Sequence, residues 1–191
     1  MLMRRAIALV LLAVLWLALP AYATGSMIVH MVLHLGVVAV VPMLWAPRLP
    51  DAFPSGPIAL ALGSVIDMAV VWTWHLPGMH LWARTETAGL ILEQASFLGA
   101  GLLLWGAVRQ AGPFGGALVL LGTTMHMTLL GALIGLAPRD LYGDICAGYF
   151  GLTALQEQQI AGVLMAGLGG ALYLAAALSR LGRALDEGEP A

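Results

Sequence analysis

Five long apolar runs constrain the fold of this chain more than any other feature of its sequence. They occupy residues 27–46, 57–76, 87–108, 114–137 and 153–178. Each run is long enough to cross a bilayer of about 30 Å as an α-helix, which rises about 1.5 Å per residue. Only 9% of the residues are charged and there is no lysine, so few charges would enter the membrane. The runs therefore predict an all-α, polytopic membrane helical bundle with five transmembrane helices.

The breaks between the runs contain the residues that end helices. Pro50, Pro77-Gly78, Gly112-Pro113 and Pro138 all lie in these breaks, and such residues are typical of turns. Short turns favour antiparallel neighbours in a helical bundle. We therefore expect one transmembrane domain over residues 24–180 and a short cytoplasmic tail over residues 181–191.

The first 23 residues have the pattern of a secretory signal peptide. Arg4 and Arg5 precede the apolar run 6–19, and Ala21-Tyr22-Ala23 follows it. A run of this length is shorter than a typical span, and a small-x-small ending is typical of a cleavage site. The pattern predicts cleavage after Ala23. The alternative is an uncleaved signal anchor, which would give six membrane helices.

The arginines predict the orientation of the bundle. With Thr24 on the outer side, six arginines fall on the inner side of the membrane: Arg4, Arg5, Arg48, Arg109, Arg180 and Arg183. Only Arg84 and Arg139 fall outside. An excess of arginine on the cytoplasmic side is the usual rule for membrane proteins. The histidine-containing ends of the helices are therefore predicted to face outward.

Composition excludes several classes of function. The formal net charge is -2, and the sequence has no Gly-rich phosphate-binding loop, so nucleic-acid binding is not expected. Cys146 is the single cysteine, which rules out an intramolecular disulfide and a CxxC motif. Any metal site must therefore rest mainly on His, Met, Asp and Glu.

The segment 27–34 carries the strongest candidate ligands. Met27, His30, Met31 and His34 have the i, i+3, i+4, i+7 spacing that places side chains on one helix face. Two histidines at i, i+4 can bind one metal ion. The alternative is that these histidines only form hydrogen bonds to neighbouring helices. Because ionisable side chains are rare and costly inside membranes, we favour a functional site.

The other polar residues predicted within the membrane fall at a similar depth, in the outer half of the bundle. The proposed metal ligands are His30, His34, His75, His80, His126, Met31 and Met127. Three carboxylates are interpreted as hydrogen-bond acceptors that orient the ligating imidazoles: Asp67, Glu93 and Glu157. Direct ligation and proton transfer remain open for Asp67 and Glu93. Thioethers beside imidazoles favour copper, whereas imidazole and carboxylate alone would also suit zinc or iron.

Six stretches, in this order along the chain, resemble the CtaG-like family of membrane cytochrome c oxidase assembly factors, in a short bacterial form. They are His30-Met31-Val32-Leu33-His34, Trp72-Thr73-Trp74-His75-Leu76-Pro77, Glu93-Gln94-Ala95-Ser96-Phe97, Thr124-Met125-His126-Met127-Thr128, Ala137-Pro138-Arg139-Asp140-Leu141-Tyr142 and Gln158-Gln159-Ile160-Ala161-Gly162-Val163-Leu164-Met165. Two positions differ from the family pattern. Glu157 stands where members often have Asp, and Ala166 stands where they often have Trp.

The resemblance implies a role in the maturation of a haem–copper oxidase. It implies copper supply on the outer side of the bacterial inner membrane, without catalytic turnover. The implied partners are the lipid bilayer and either cytochrome c oxidase subunits or a periplasmic copper chaperone.

Two other functions are compatible with the same residues. The first is a b-type haem-binding membrane oxidoreductase, since histidines on bundle helices can ligate haem. However, His30 and His34 lie on one helix face and could not ligate opposite faces of one haem. The second is a zinc-dependent membrane hydrolase that would use His30, His34, His126, Asp67 and Ser64.

Overall fold

Every regular element is a helix in the computed structural model, which describes residues 2–143 and 145–186. The helices are α1 (Leu2–Ala18), α2 (Pro20–Ala23), α3 (Met27–Trp45), α4 (Gly56–Trp74), α5 (Pro77–Thr85), α6 (Thr87–Gln110), α7 (Pro113–Gly135) and α8 (Ala154–Asp186). Five of them, α3, α4, α6, α7 and α8, are long and apolar enough to cross a membrane. The predicted helical membrane bundle with five spans is confirmed.

The connection at residues 111–112 is a short turn, as expected from the sequence, but other connections differ from that expectation. Pro77 does not end a helix but begins α5, because the first helical position tolerates the missing N–H of proline. The connection 136–153 is long and irregular where the structure describes it. Helix α8 continues to Asp186, into the segment predicted as a tail, and residues 187–191 lie outside the described residues. The segments 75–86 and 136–153 bring additional side chains to the end of the bundle at which α3 begins.

Two membrane helices contain a π-helical turn. In α3 it covers Gly36–Val40, directly after the histidine segment, and in α8 it covers Met165–Gly169. A π turn accommodates one extra residue per turn, so it rotates the side chains on either side relative to each other. In α3 this turn therefore changes the direction of the side chains that follow Val40 relative to the direction of His30 and His34.

Helix α1 packs against the bundle as an additional element. A Cβ on Gly36 would lie 2.6 Å from Leu15 Cδ1, so the absence of a side chain at Gly36 allows α1 to approach α3 closely. The indole N–H of Trp16 donates to Gln94 Oε1 on α6 at 3.2 Å. Cleavage after Ala23 stays a prediction, as do the domain boundaries at residues 24 and 180.

Helices α7 and α8 approach each other through small residues. A Cβ on Gly131 would lie 2.6 Å from the backbone nitrogen of Ala166, and a Cβ on Gly162 would overlap the backbone of Gly131 and Gly135. Small residues permit such close contacts. Because the hydrophobic effect does not drive helices together in lipid, these packing contacts are a main source of helix association there.

We expect Gly162→Ala to destabilise the bundle by about 1–3 kcal/mol, because the added methyl group must push two backbones apart. Thermal unfolding in detergent measures this loss. Gly122→Ala on α7 is the control, since a Cβ there has no heavy atom within 4 Å. Equal stability of the two variants would contradict the close contact described above.

Polar groups collect at the two ends of the bundle. His30 lies near the start of α3, whereas the carbonyl of Ala46, just after its end, accepts a hydrogen bond from Arg109 at 2.7 Å. These positions are about 24 Å apart along the helix. The histidine end and the arginine end are therefore two separate regions.

Candidate metal centre

Four buried histidines from three helical segments form one cluster at the histidine end. The ring centroids of His30 and His80 are 4.7 Å apart, and those of His34 and His75 are 4.9 Å apart. The centroid of His30 is also 5.7 Å from that of His75. The i, i+4 pair on α3 is thus joined by the residue after α4 and by a residue of α5. We refer to these residues, His30, His34, His75 and His80, as the four-histidine cluster.

Most ring nitrogens of the cluster have no protein partner among the described residues. They are Nδ1 and Nε2 of His30, Nδ1 and Nε2 of His34, Nε2 of His75 and Nδ1 of His80. A buried polar atom without a hydrogen bond costs about 1–3 kcal/mol. Such a concentration of uncompensated nitrogen atoms fits a site that binds a metal ion, because imidazole lone pairs are good ligands for zinc and copper.

Hydrogen bonds fix the orientation of His75. Its Nδ1 lies 2.6 Å from the carbonyl oxygen of Val71. A carbonyl can only accept, so Nδ1 carries the proton and Nε2 presents its lone pair to the cluster. The hydroxyl of Tyr142 donates to the backbone carbonyl of His75 at 2.6 Å, and so ties the connection 136–153 to the end of α4.

The two histidines outside the spans are held neutral. Burial lowers the pKa of His75 to about 4, against the opposing effect of its bond to Val71. Burial, with the positive charge of Arg84, lowers the pKa of His80 to about 3. Neutral imidazole is the form that ligates metals, so neither side chain has to lose a proton at neutral pH before it binds.

A buried ion pair adjoins the cluster. Arg84 Nη2 donates to Glu93 Oε2, and these side chains are 1% and 0% exposed. Gln94 Nε2 donates to the same oxygen at 3.0 Å, whereas Glu93 Oε1 has no partner among the described residues. Glu93 also belongs to a group with His30 and His80 in which one ligand atom from each lies within 4.8 Å of the others. Its free oxygen therefore suits direct ligation as well as orientation of an imidazole.

Arg84 was not predicted as part of the site. The sequence predicts only that it falls in an outer connection, whereas the structure places it on α5, which turns its side chain into the protein. The signal was nevertheless present, because a glutamate inside a span requires a partner and Arg84 is the arginine nearest to Glu93 in the sequence.

Cys146 reaches the cluster from the connection 136–153. Its Sγ lies 3.5 Å from His80 Nε2, and the thiol is buried. Burial raises the pKa of Cys146 to about 12, so the sulfur carries its proton at neutral pH. Together with Tyr142, whose ring centroid lies 4.9 Å from that of His80, it covers the outer face of α5.

His126 belongs to a separate polar pair. Its Nε2 lies 3.3 Å from Asp67 Oδ2, and both side chains are buried. No ring contact joins His126 to the four-histidine cluster in the described part of the chain. The position of Asp67 agrees with a carboxylate that orients an imidazole, while ligation of a shared ion by His126 stays a prediction.

The two candidate methionines and Glu157 are all buried. Met31 and Met127 are 0% exposed, and ligation by their thioethers stays a prediction, whereas Met125 is 74% exposed on the surface of the bundle. Glu157 accepts hydrogen bonds from Ser26 Oγ at 2.8 Å and from the backbone nitrogen of Met27 at 2.7 Å. It therefore supports the N-terminus of the histidine helix, where a negative charge is favourable, rather than an imidazole.

Tyr142→Phe is expected to lower the free energy of unfolding by about 1–3 kcal/mol, because the buried carbonyl of His75 loses its donor. The same variant should bind metal more weakly, since the segment that carries His75 is held less firmly. Thermal unfolding and metal titration of purified protein measure both effects. Tyr149→Phe, an exposed tyrosine of the same connection, is the control. An unchanged metal affinity in Tyr142→Phe would show that the hydrogen bond from Tyr142 to His75 does not affect metal binding by the four-histidine cluster.

Comparisons with curated proteins and with solved structures gave no significant match. A family model, described as cytochrome c oxidase caa3 assembly factor (Caa3_CtaG), matches residues 6–186, nearly the whole sequence. The match covers all five spans and every residue of the cluster. The resemblance inferred from the six sequence stretches is thereby confirmed, and the chain belongs to the cytochrome c oxidase caa3 assembly factor family.

Proposed function

We propose that the four-histidine cluster binds copper and that the protein supports delivery of this copper to a haem–copper cytochrome c oxidase. The observation that carries the proposal is the burial of four imidazoles whose ring nitrogens are largely without protein partners. A protein that only needed these helices to associate could do so with apolar side chains at less cost.

The choice of copper rests on the donor set and on the family. Imidazole nitrogens suit both copper and zinc, but copper binds more tightly than zinc to a given set of nitrogen ligands. Cys146 adds a sulfur atom beside His80, and sulfur favours copper further. The protein belongs to a cytochrome c oxidase assembly-factor family, and the resemblance implies that the oxidase it serves is of the haem–copper class.

The cluster would hold the ion through several imidazoles, with Glu93 as an additional ligand or as the group that orients them. His75, fixed by Val71 and Tyr142, would supply Nε2. The protein itself would turn over no substrate. Its role would be to hold copper in a buried site at the outer side of the bacterial inner membrane, where oxidase subunits or a periplasmic copper chaperone would exchange it. The arginine distribution supports this orientation.

Metal analysis with ultraviolet–visible spectra of detergent-purified protein tests the proposal. We expect about one copper ion per chain after reconstitution and no Soret band. Competition between copper and zinc in the same preparation should end with copper bound. Exclusive zinc binding, or a Soret band with stoichiometric haem, would reject copper binding and favour the hydrolase or the haem protein, respectively.

A further inference from the structure

A cavity lined by arginines lies at the end of the bundle opposite the four-histidine cluster. It is formed between α1, α3, α6 and α8 and has a volume of about 520 Å³. Arg4, Arg109, Arg180 and Arg183 line it, and these are four of the eight basic residues in the chain. The volume falls within the range of about 300–1,000 Å³ that is usual for small-molecule sites. We refer to it as the arginine cavity.

Three arginines of the cavity use only part of their hydrogen-bonding capacity within the described residues: Arg4, Arg180 and Arg183. Arg4 Nη2 donates to the carbonyl of Met43 at 3.5 Å, Arg180 Nη2 to that of Ala111 at 2.8 Å, and Arg183 Nε to that of Ser179 at 3.2 Å. Each guanidinium has five N–H donors. The buried Nε of Arg180 has no acceptor, and these three arginines form no ion pair with a carboxylate among the described residues.

The positions of these charges are fixed by the fold. The guanidinium of Arg180 lies across Gly116, where a Cβ would be 2.6 Å from Nε, so the glycine in α7 makes room for it. Arg183 is one turn further along the same helix, and like charges at this spacing repel. An arrangement that brings several positive charges together around one cavity is unfavourable unless an anion compensates them.

Guanidinium groups bind phosphate well, because their planar N–H donors match two phosphate oxygens at once. Basic cavities between membrane helices at the cytoplasmic end are also a common place for acidic lipid headgroups. Trp105 also lines the cavity, with its buried ring stacked on Tyr173 at a centroid distance of 5.6 Å. The cavity thus has the charge that an anionic headgroup requires.

We propose that the arginine cavity binds a phosphate-bearing anion, and its position in the bundle points to the headgroup of an anionic phospholipid as the source. This site is independent of the proposed copper function, since it lies at the other end of α3. With residues 1–23 retained, which is the alternative to cleavage after Ala23, the bound anion would attach the inner end of α1 to α8 through a shared ligand.

Purified full-length protein in detergent, titrated with phosphatidylglycerol or with phosphatidylcholine, tests the proposal by thermal unfolding and by native mass spectrometry of retained lipid. We expect phosphatidylglycerol to stabilise the protein and to be retained, and phosphatidylcholine to have little effect. Replacing Arg4 and Arg183 by Gln should weaken binding roughly 25-fold, at about fivefold for each charge removed. Arg183 bonds only within its own helix in the described structure, so its loss leaves the packing intact.

Arg48→Gln is the matched control. Arg48 is predicted at the same side of the membrane, but its side chain is 78% exposed and lies 3.9 Å from Asp51 rather than in the cavity. This variant should bind phosphatidylglycerol as the natural sequence does. If Arg48→Gln weakened phosphatidylglycerol binding as much as the double variant does, the effect would come from general surface charge and the proposal would be wrong.

A titration with inorganic phosphate distinguishes a free phosphate anion from a phospholipid headgroup as the ligand of the cavity. If phosphate alone stabilises the protein and the Arg4 and Arg183 double variant loses this effect, the ligand is a free phosphate anion. If only phosphatidylglycerol acts through these residues, the ligand is the lipid headgroup. A protein that responds equally to phosphatidylglycerol and phosphatidylcholine, and not to phosphate, would refute an anion site.

Discussion

Replacement of both His30 and His34 by Leu is expected to abolish stoichiometric copper binding while the protein still inserts into the membrane and accumulates. The four ring nitrogens of this pair make no hydrogen bond within the described chain, so their removal breaks no hydrogen bond of the protein, and Leu fills most of the volume of the ring. Hydrogen bonds in membrane bundles average only about 0.6 kcal/mol in any case. Loss of two ligands from one ion, in contrast, removes about half of a four-coordinate shell. Copper per purified chain and oxidase activity of the host are the measurements.

Val32→Ala is the matched control for this variant. Val32 lies on the same helix but is 46% exposed on another face, so the substitution should leave copper bound. A double histidine variant that keeps its copper, or one that disappears from the membrane, would show that the histidine face of α3 is structural and would remove the main support for copper binding.

Arg84→Gln should be the most destabilising single substitution at the outer end of the bundle, with a loss of about 3–5 kcal/mol. Glu93 would then be buried without its counter-ion, at a position that is 0% exposed, and either an unpaired charge or the uptake of a proton there costs stability. Thermal unfolding of purified protein and abundance in the membrane measure the effect. The double variant with Glu93→Gln should recover most of the stability, because neither charge is then left unpaired.

The recovery in the double variant is the decisive part of this experiment. Arg139→Gln, which changes an exposed arginine in an outer connection, should have little effect on stability. If Arg84→Gln were as stable as Arg139→Gln, the ion pair would contribute nothing to the fold. If Glu93→Gln combined with Arg84→Gln gave no recovery, the arginine would act through packing rather than through charge.

Sequence alone was sufficient for the spans because the bilayer imposes a length and an apolar composition on each of them. The runs at 87–108 and 114–137 agree with α6 and α7 to within a few residues. The pairing of His30 with His34 was also accessible, since it depends only on helical periodicity. Such features are local, and one sequence contains all the information that they need.

Residues that reach the cluster through irregular connections could not be predicted in the same way. Tyr142 and Cys146 contact His75 and His80 across about 66 residues of sequence, and no periodicity relates them. The predicted break at Pro77 is in fact the start of α5, and it is this helix that turns Arg84 toward Glu93. The sequence predicts a similar depth for the polar groups of the spans, but depth alone does not determine which side chains meet.

The hydrogen bonds of Glu157 have a consequence for the order in which the protein can mature during synthesis. This carboxylate binds the N-terminus of the histidine helix from a position 131 residues later in the chain. While the ribosome is still making α8, Ser26 and Met27 lack this acceptor, and the first turn that precedes His30 keeps its local cap, the hydrogen bond from Val29 N–H to Ser26 Oγ at 3.3 Å. We therefore expect the helix that carries the first two histidines to gain its full support only when the last span is in place.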